Sequence, residues 1–164
     1  RLAFFGNGLI GEKIVAMNLA EEGVEAVKNI RDTNYLRFAS DPDECWNTLT
    51  ATVASDCATS TKITDGTTYY LDWDLTNYYY SLTLRPLTKI NTGQLYLYSV
   101  DSTHQLYAQS GTGSSYSSAA SVYTRTFTIS NQSTNRFDVT VTVDWTHAGT
   151  SKSFSLTRTI TNVY

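Results

Sequence analysis

Residues 136–145 read Arg-Phe-Asp-Val-Thr-Val-Thr-Val-Asp-Trp. Phe137, Val139, Val141, Val143 and Trp145 alternate without exception with polar neighbours. Successive strand side chains point to opposite faces, so this run is a strand with one dry face and one wet face. The pattern recurs on both sides. In 122–129, Tyr123, Arg125, Phe127 and Ile129 share a face, and after a turn at 147–150, Phe154, Leu156 and Ile160 repeat it. Upstream, Tyr69, Leu71, Trp73 and Leu75 alternate with Tyr70, Asp72 and Asp74, and Tyr78, Tyr80, Leu82 and Leu84 follow. Residues 95–100 and 105–109 flank a short turn, and 110–120 is a Gly/Ser-rich stretch that reads as a surface loop. Apolar-in, polar-out alternation over several runs predicts an antiparallel sheet with one face buried.

The period is different before residue 39. Residues 9–38 contain no Pro and read as one long helix. Asn18, Glu21, Glu22, Glu25, Asn29 and Asp32 fall on one stripe, with Ala16, Leu19, Ala20, Gly23, Val27 and Ile30 opposite. At about 1.5 Å per residue the helix would run roughly 45 Å. Ile10 and Ile14 occupy angles that the acidic stripe takes further on, so the first turns need apolar cover on more than one side. One sheet cannot supply that cover. A frayed terminus is one reading, since 1–8 with Gly6 and Gly8 is weak helix sequence. A helix that continues into a bundle with other chains is the sharper one. Ile10, Ile14, Met17, Glu21 and Val24 are the candidate interface residues.

Together these runs predict an α+β fold, a long N-terminal α-helix packed on an antiparallel β-sheet. The expected units are a helix over 1–38, a connecting loop over 39–66 and a sheet head over 67–164, all in one structural body. The loop lacks periodicity and carries the only cysteines, Cys45 and Cys57. A zinc site would need further ligands, and His104 and His147 lie at no ligand-like spacing. A structural disulfide pinning the loop is the favoured reading, and it implies an oxidising compartment. Two unpaired thiols are the alternative. Closing so short a loop contributes roughly 2–3 kcal/mol.

Composition narrows the classes. The 164 residues carry a net charge of −3, with only 16% charged side chains. So few Lys and Arg give nucleic-acid binding no support. Low charge with abundant Thr, Ser and Tyr is common in exported β-rich proteins. No run approaches the ~18 apolar residues that cross a bilayer, and no signal peptide is evident. A start at Arg1 rather than Met reads as a processed or truncated product.

The segment from Leu19 to Tyr35, Leu-Ala-Glu-Glu-Gly-Val-Glu-Ala-Val-Lys-Asn-Ile-Arg-Asp-Thr-Asn-Tyr, resembles one that follows the hydrophobic N-terminal helix in bacterial prepilin-type proteins. It reads there approximately L-A-x-E-G-[IV]-E-x-[VA]-[RK]-N-[IL]-R-D-x-N-[WY]. Phe127-Thr-Ile-Ser, the run ending at Trp145, and the final Leu156-Thr-Arg-Thr-Ile-Thr-Asn-Val-Tyr are similar to the last strands of such subunits. The resemblance covers about a third of the chain. The family's basic leader, cleavage site and transmembrane helix are not in this sequence. The resemblance implies a non-catalytic subunit of a type IV pilus or of a type II secretion pseudopilus, anchored in the inner membrane before assembly. Its implied partners are homologous subunits in a helical filament at the bacterial surface and the pilus or secretion machinery.

Other motifs carry less. Asp72 and Asp74 flank Trp73 on one strand and read as solvation rather than acid/base chemistry. Neither His lies near a nucleophile motif. Asp41, Asp43 and Glu44 could offer oxygens to Ca²⁺ but lack the loop spacing that a calcium site needs. No cofactor is expected, and the chain does not read as an enzyme. Tyr70, Tyr79, Tyr96 and Tyr98 are candidate aromatics for a surface or glycan ligand. They support the alternative of an extracellular adhesin or carbohydrate-binding module. Arg125 shares strand parity with core residues, so it is expected to reach a helix carboxylate, Asp32 or Glu25.

Overall fold

The computed structural model describes residues 3–72, 83–86, 93–99, 105–109 and 118–162. Helix α1 spans Ala3–Arg37, beginning earlier than residue 9 despite Gly6 and Gly8. It is followed by the short helix α2, Pro42–Cys45, with Pro42 in its first turn. A missing N–H is harmless there, so Pro42 begins this second helix; α1 has already ended at Arg37. A single 3₁₀ turn, Ala54–Asp56, completes the connection.

Among the described residues seven strands form one antiparallel sheet: β1 Thr68–Asp72, β2 Thr83–Pro86, β3 Gln94–Ser99, β4 Gln105–Gln109, β5 Ser118–Ser133, β6 Arg136–His147 and β7 Thr150–Thr161. The end of the 110–120 stretch is strand rather than loop, because β5 begins at Ser118, and 110–117 lie outside the described residues. The last three strands form a meander in the order β5-β6-β7. The tight β6–β7 turn places Ala148 at φ 48 and Gly149 at φ 79. Two positive φ angles match the twist of a two-residue hairpin.

Strand β5 is the axis of the sheet. One edge pairs with β6 along most of its length. The other edge is shared, with β3 taking Ser118–Thr124 and β1 taking Phe127 and Thr128. Each of these carries its own hairpin partner, β4 and β2. At the seam between them, the Arg125 amide donates to the Gly93 carbonyl at 2.8 Å.

The alternation holds residue by residue. Tyr123, Arg125, Phe127 and Ile129 are buried, as are Phe137, Val139, Val141, Val143 and Trp145. Ala16, Leu19, Ala20, Gly23, Val27 and Ile30 meet them from α1. Gly23 sets how close the helix can come. A Cβ there would lie 2.9 Å from Val141 Cγ1 and 3.1 Å from the Phe127 ring. On the wet face, Thr140 pairs with Thr157 and Thr142 with Ser155, both at 2.9 Å, the cross-strand pairing that suits β-branched residues.

Cys45 and Cys57 are bridged, with Cα atoms 5.1 Å apart. With Phe38 and Ala51 they form a small second core at the end of α1. The loop is held elsewhere too. Residues 47–49 pair with 61–63 through Leu49 N to Thr61 O at 2.8 Å and Ile63 N to Asn47 O at 3.0 Å. From α1, the Asn34 amide donates to the carbonyls of Trp46 at 3.2 Å and Thr48 at 2.9 Å. Trp46 stacks on Phe137 at 5.3 Å. The acidic loop residues are used internally: Glu44 pairs with Lys62, and Asp43 accepts from Asn162 at 3.0 Å. Replacing both cysteines by Ser should lower the unfolding free energy by about 2–3 kcal/mol. Urea melts of the double variant against the oxidised parent measure this, and an unchanged midpoint would show that the bridge does not pin the loop.

The whole is a long helix packed on an antiparallel sheet, an α+β arrangement of the general pilin-like kind.

Candidate functional site

The site of interest is the face of α1 that the sheet leaves open. Ile10 is 59% exposed, Ile14 52% and Met17 37%, and Glu21 is also exposed. Steps of four, three and four residues place them on one stripe. Val24 does not belong with them. It is 2% exposed and lies in the main core. The reason is geometric: a seven-residue spacing drifts about 20° per heptad on a straight helix. The series Ile10, Met17, Val24 therefore turns off the open face, and its third member reaches the sheet.

The sheet covers the other side of α1 alongside this stripe, and one carboxylate anchors that cover near its N-terminal end. Glu12 Oε2 accepts from Trp145 Nε1 at 3.2 Å and contacts His147 Nδ1 at 2.8 Å. The Tyr123 hydroxyl donates to the Glu12 carbonyl at 3.2 Å. Residues of β5 and β6 thus grip one helical turn, and His147 also faces Gly8, where a Cβ would lie 3.8 Å from its ring. No spacing in the sequence announces this cluster, because its members lie more than a hundred residues apart.

Burial pushes the Tyr123 phenol up to about 12, helped by Tyr107 and Glu12 nearby. A raised pKa means that the folded state holds its proton longer than the unfolded chain. The stability that this contributes is complete below the ordinary value of 10.0 and is lost as pH rises toward about 12. Tyr123→Phe should therefore flatten the stability curve above pH 10.0. Melts from pH 9 to 12 test this, and parallel curves for variant and parent would refute it.

Arg125 crosses the core. It is 1% exposed and donates through Nη1 to the Leu19 carbonyl at 2.9 Å. Its carboxylate neighbour is Glu22, at 3.5 Å, rather than Asp32 or Glu25. Those two serve local pairs, Asp32 with Arg31 at 2.7 Å and Glu25 with Lys28 at 2.6 Å. The cause is the level at which β5 crosses α1. A side chain bonded to Leu19 reaches an acid within one turn, whereas Asp32 lies roughly 20 Å further along the axis. The guanidinium also sits 5.6 Å over the Phe127 ring. Burial lowers its pKa, and Glu22 offsets this in part.

Tyr98 is buried, and Tyr96 on the same strand leans toward it at 6.5 Å. Tyr70 and Tyr96 are half-buried, and Tyr79 lies outside the described residues. Among the described residues no group of three His, Cys, Asp or Glu side chains is placed to hold a metal, and no helix is long and apolar enough to cross a membrane. Comparison of the chain with protein-family models, with curated proteins and with solved structures finds no match.

Proposed function

We propose that this chain is the outward part of a structural, non-catalytic subunit of a type IV pilin-like filament. It would assemble through its N-terminal helix at the bacterial surface or across the periplasm. The observation that carries this reading is the Ile10–Ile14–Met17 stripe, exposed on the open face of α1 around the Glu12 grip. Exposed large apolar residues contiguous on one face mark an interaction surface. An amphipathic helix whose second face is also apolar at one end is suited to burial among other helices. The partners are further subunits of the same architecture and the machinery that stacks them. The oxidising setting of the Cys45–Cys57 bridge agrees with an exported head.

The test uses the full encoded protein in its own host cells. The parent should appear in the fraction sheared from the cell surface, as filaments visible by electron microscopy. Ile14→Asp with Met17→Asp should remove the protein from that fraction while the purified head keeps its melting midpoint. A parent that never enters a filamentous fraction would overturn the reading. So would a double variant that assembles like the parent.

A further inference from the structure

We propose that the open face of α1 docks on strand β7 of a second copy of this chain, apolar row against apolar row, with Glu21 facing Arg158. The proposal rests on the filament reading and names a contact within it. On α1, Ile14, Met17 and Glu21 run apolar, apolar, acidic along the exposed stripe. On β7, Phe154, Leu156 and Arg158 run apolar, apolar, basic along one face. Phe154 and Leu156 are only partly buried against the core, and Arg158 is exposed. The two rows match in length. Ile14 to Glu21 spans roughly 10 Å of helix, and Phe154 to Arg158 spans roughly 13 Å of strand.

Their directions match as well. Within one molecule α1 and β7 run the same way: His147, just before β7, meets Glu12, and Thr161 at its end accepts from Arg31 at 3.2 Å. Copies that point the same way in a filament would therefore present the two rows in parallel. The charges complement each other and are unspent. Neither Arg158 nor Lys152 has a carboxylate partner among the described residues, and Glu21 has no cation there. Among the described residues strand β7 pairs only with β6, and so it is an edge of the sheet they form. Its core-side face stays accessible beside the chain's own helix.

The two surfaces differ, so the contact is heterologous. Each copy offers one row forward and the other back, and such a contact propagates instead of closing a dimer. The competing role for Lys152 and Arg158 is to guard an edge strand against stray pairing. A guard needs only to be charged. A docking residue needs its opposite.

Charge exchange separates the two. In the full encoded protein, Glu21→Arg and Arg158→Glu should each cut the yield of sheared filaments about tenfold or more, because like charges then face each other. Both substitutions together should restore it to near the parent level. Both positions are exposed, so the purified heads should melt like the parent. A second measurement pairs Glu21→Cys on one tagged copy with Arg158→Cys on another, both native cysteines being already bridged. A cross-linked dimer should appear only when both variants are present. Single variants that assemble like the parent would overturn the contact. A double variant no better than either single, or no cross-link, would do the same, while leaving the filament reading in place. A parent that forms no filaments would instead overturn the filament reading itself, and this contact with it.

Discussion

Replacing Arg125 by alanine is expected to lower the free energy of unfolding by about 3 kcal/mol, and replacing it by methionine by far less. The side chain threads between β5 and α1 with 1% of its surface exposed, while Glu22 is 55% exposed. Losing the ion pair therefore strands no buried carboxylate. The cost of alanine comes from the cavity left under α1 and from the lost bond to the Leu19 carbonyl. Methionine fills much of the same volume and removes a charge that burial already disfavours, as the lowered pKa records. Exchange of a buried ion for an apolar side chain of similar volume is often neutral or stabilising. Urea melts of the two variants against the parent decide this. Equal losses for both would mean that the charge, not the volume, carries the stability. No loss for alanine would mean that the core closes without Arg125.

A comparable loss, about 2–4 kcal/mol, is expected for Gly93→Ala. Gly93 has φ +72, in the left-handed region that side chains disfavour, and it lies where β1 and β3 meet along β5. A Cβ at this position would fall inside van der Waals contact of the Arg125 carbonyl oxygen and 3.1 Å from its carbon. Backbone atoms of the central strand cannot step aside. The substitution should open the seam and release the Arg125 amide from the Gly93 carbonyl. Gly66→Ala is the control, since Gly66 has φ +68 but open space around its Cβ position. It should show only the conformational penalty, about 1 kcal/mol. Equal destabilisation by the two substitutions would remove the steric part of the argument. Hydrogen exchange at the Arg125 amide, faster in Gly93→Ala alone, locates the damage.

Much of this molecule is legible in its sequence, because the governing terms are local. The strict alternation from Phe137 to Trp145 decides which face is dry, since a strand has no other way to bury five apolar side chains together. The 3.6-residue stripe from Ala16 to Ile30 does the same for α1. Isolation of Cys45 and Cys57 in the one aperiodic segment points to their bridge. The partnerships across the fold are another matter. Periodicity orients a side chain but says nothing of the level at which two elements cross, so Arg125 is placed in the core by its parity and given to Glu22 only by packing. The same crossing brings Trp145 and His147 onto Glu12. Glycine in a sequence marks freedom without saying what uses it. At Gly93 the use is a seam between two hairpins on one edge of β5. Residue order therefore determined the elements and their buried faces, through side-chain direction along each backbone. The tertiary structure alone decided the crossing levels and the strand order, because these depend on how long-range surfaces fit.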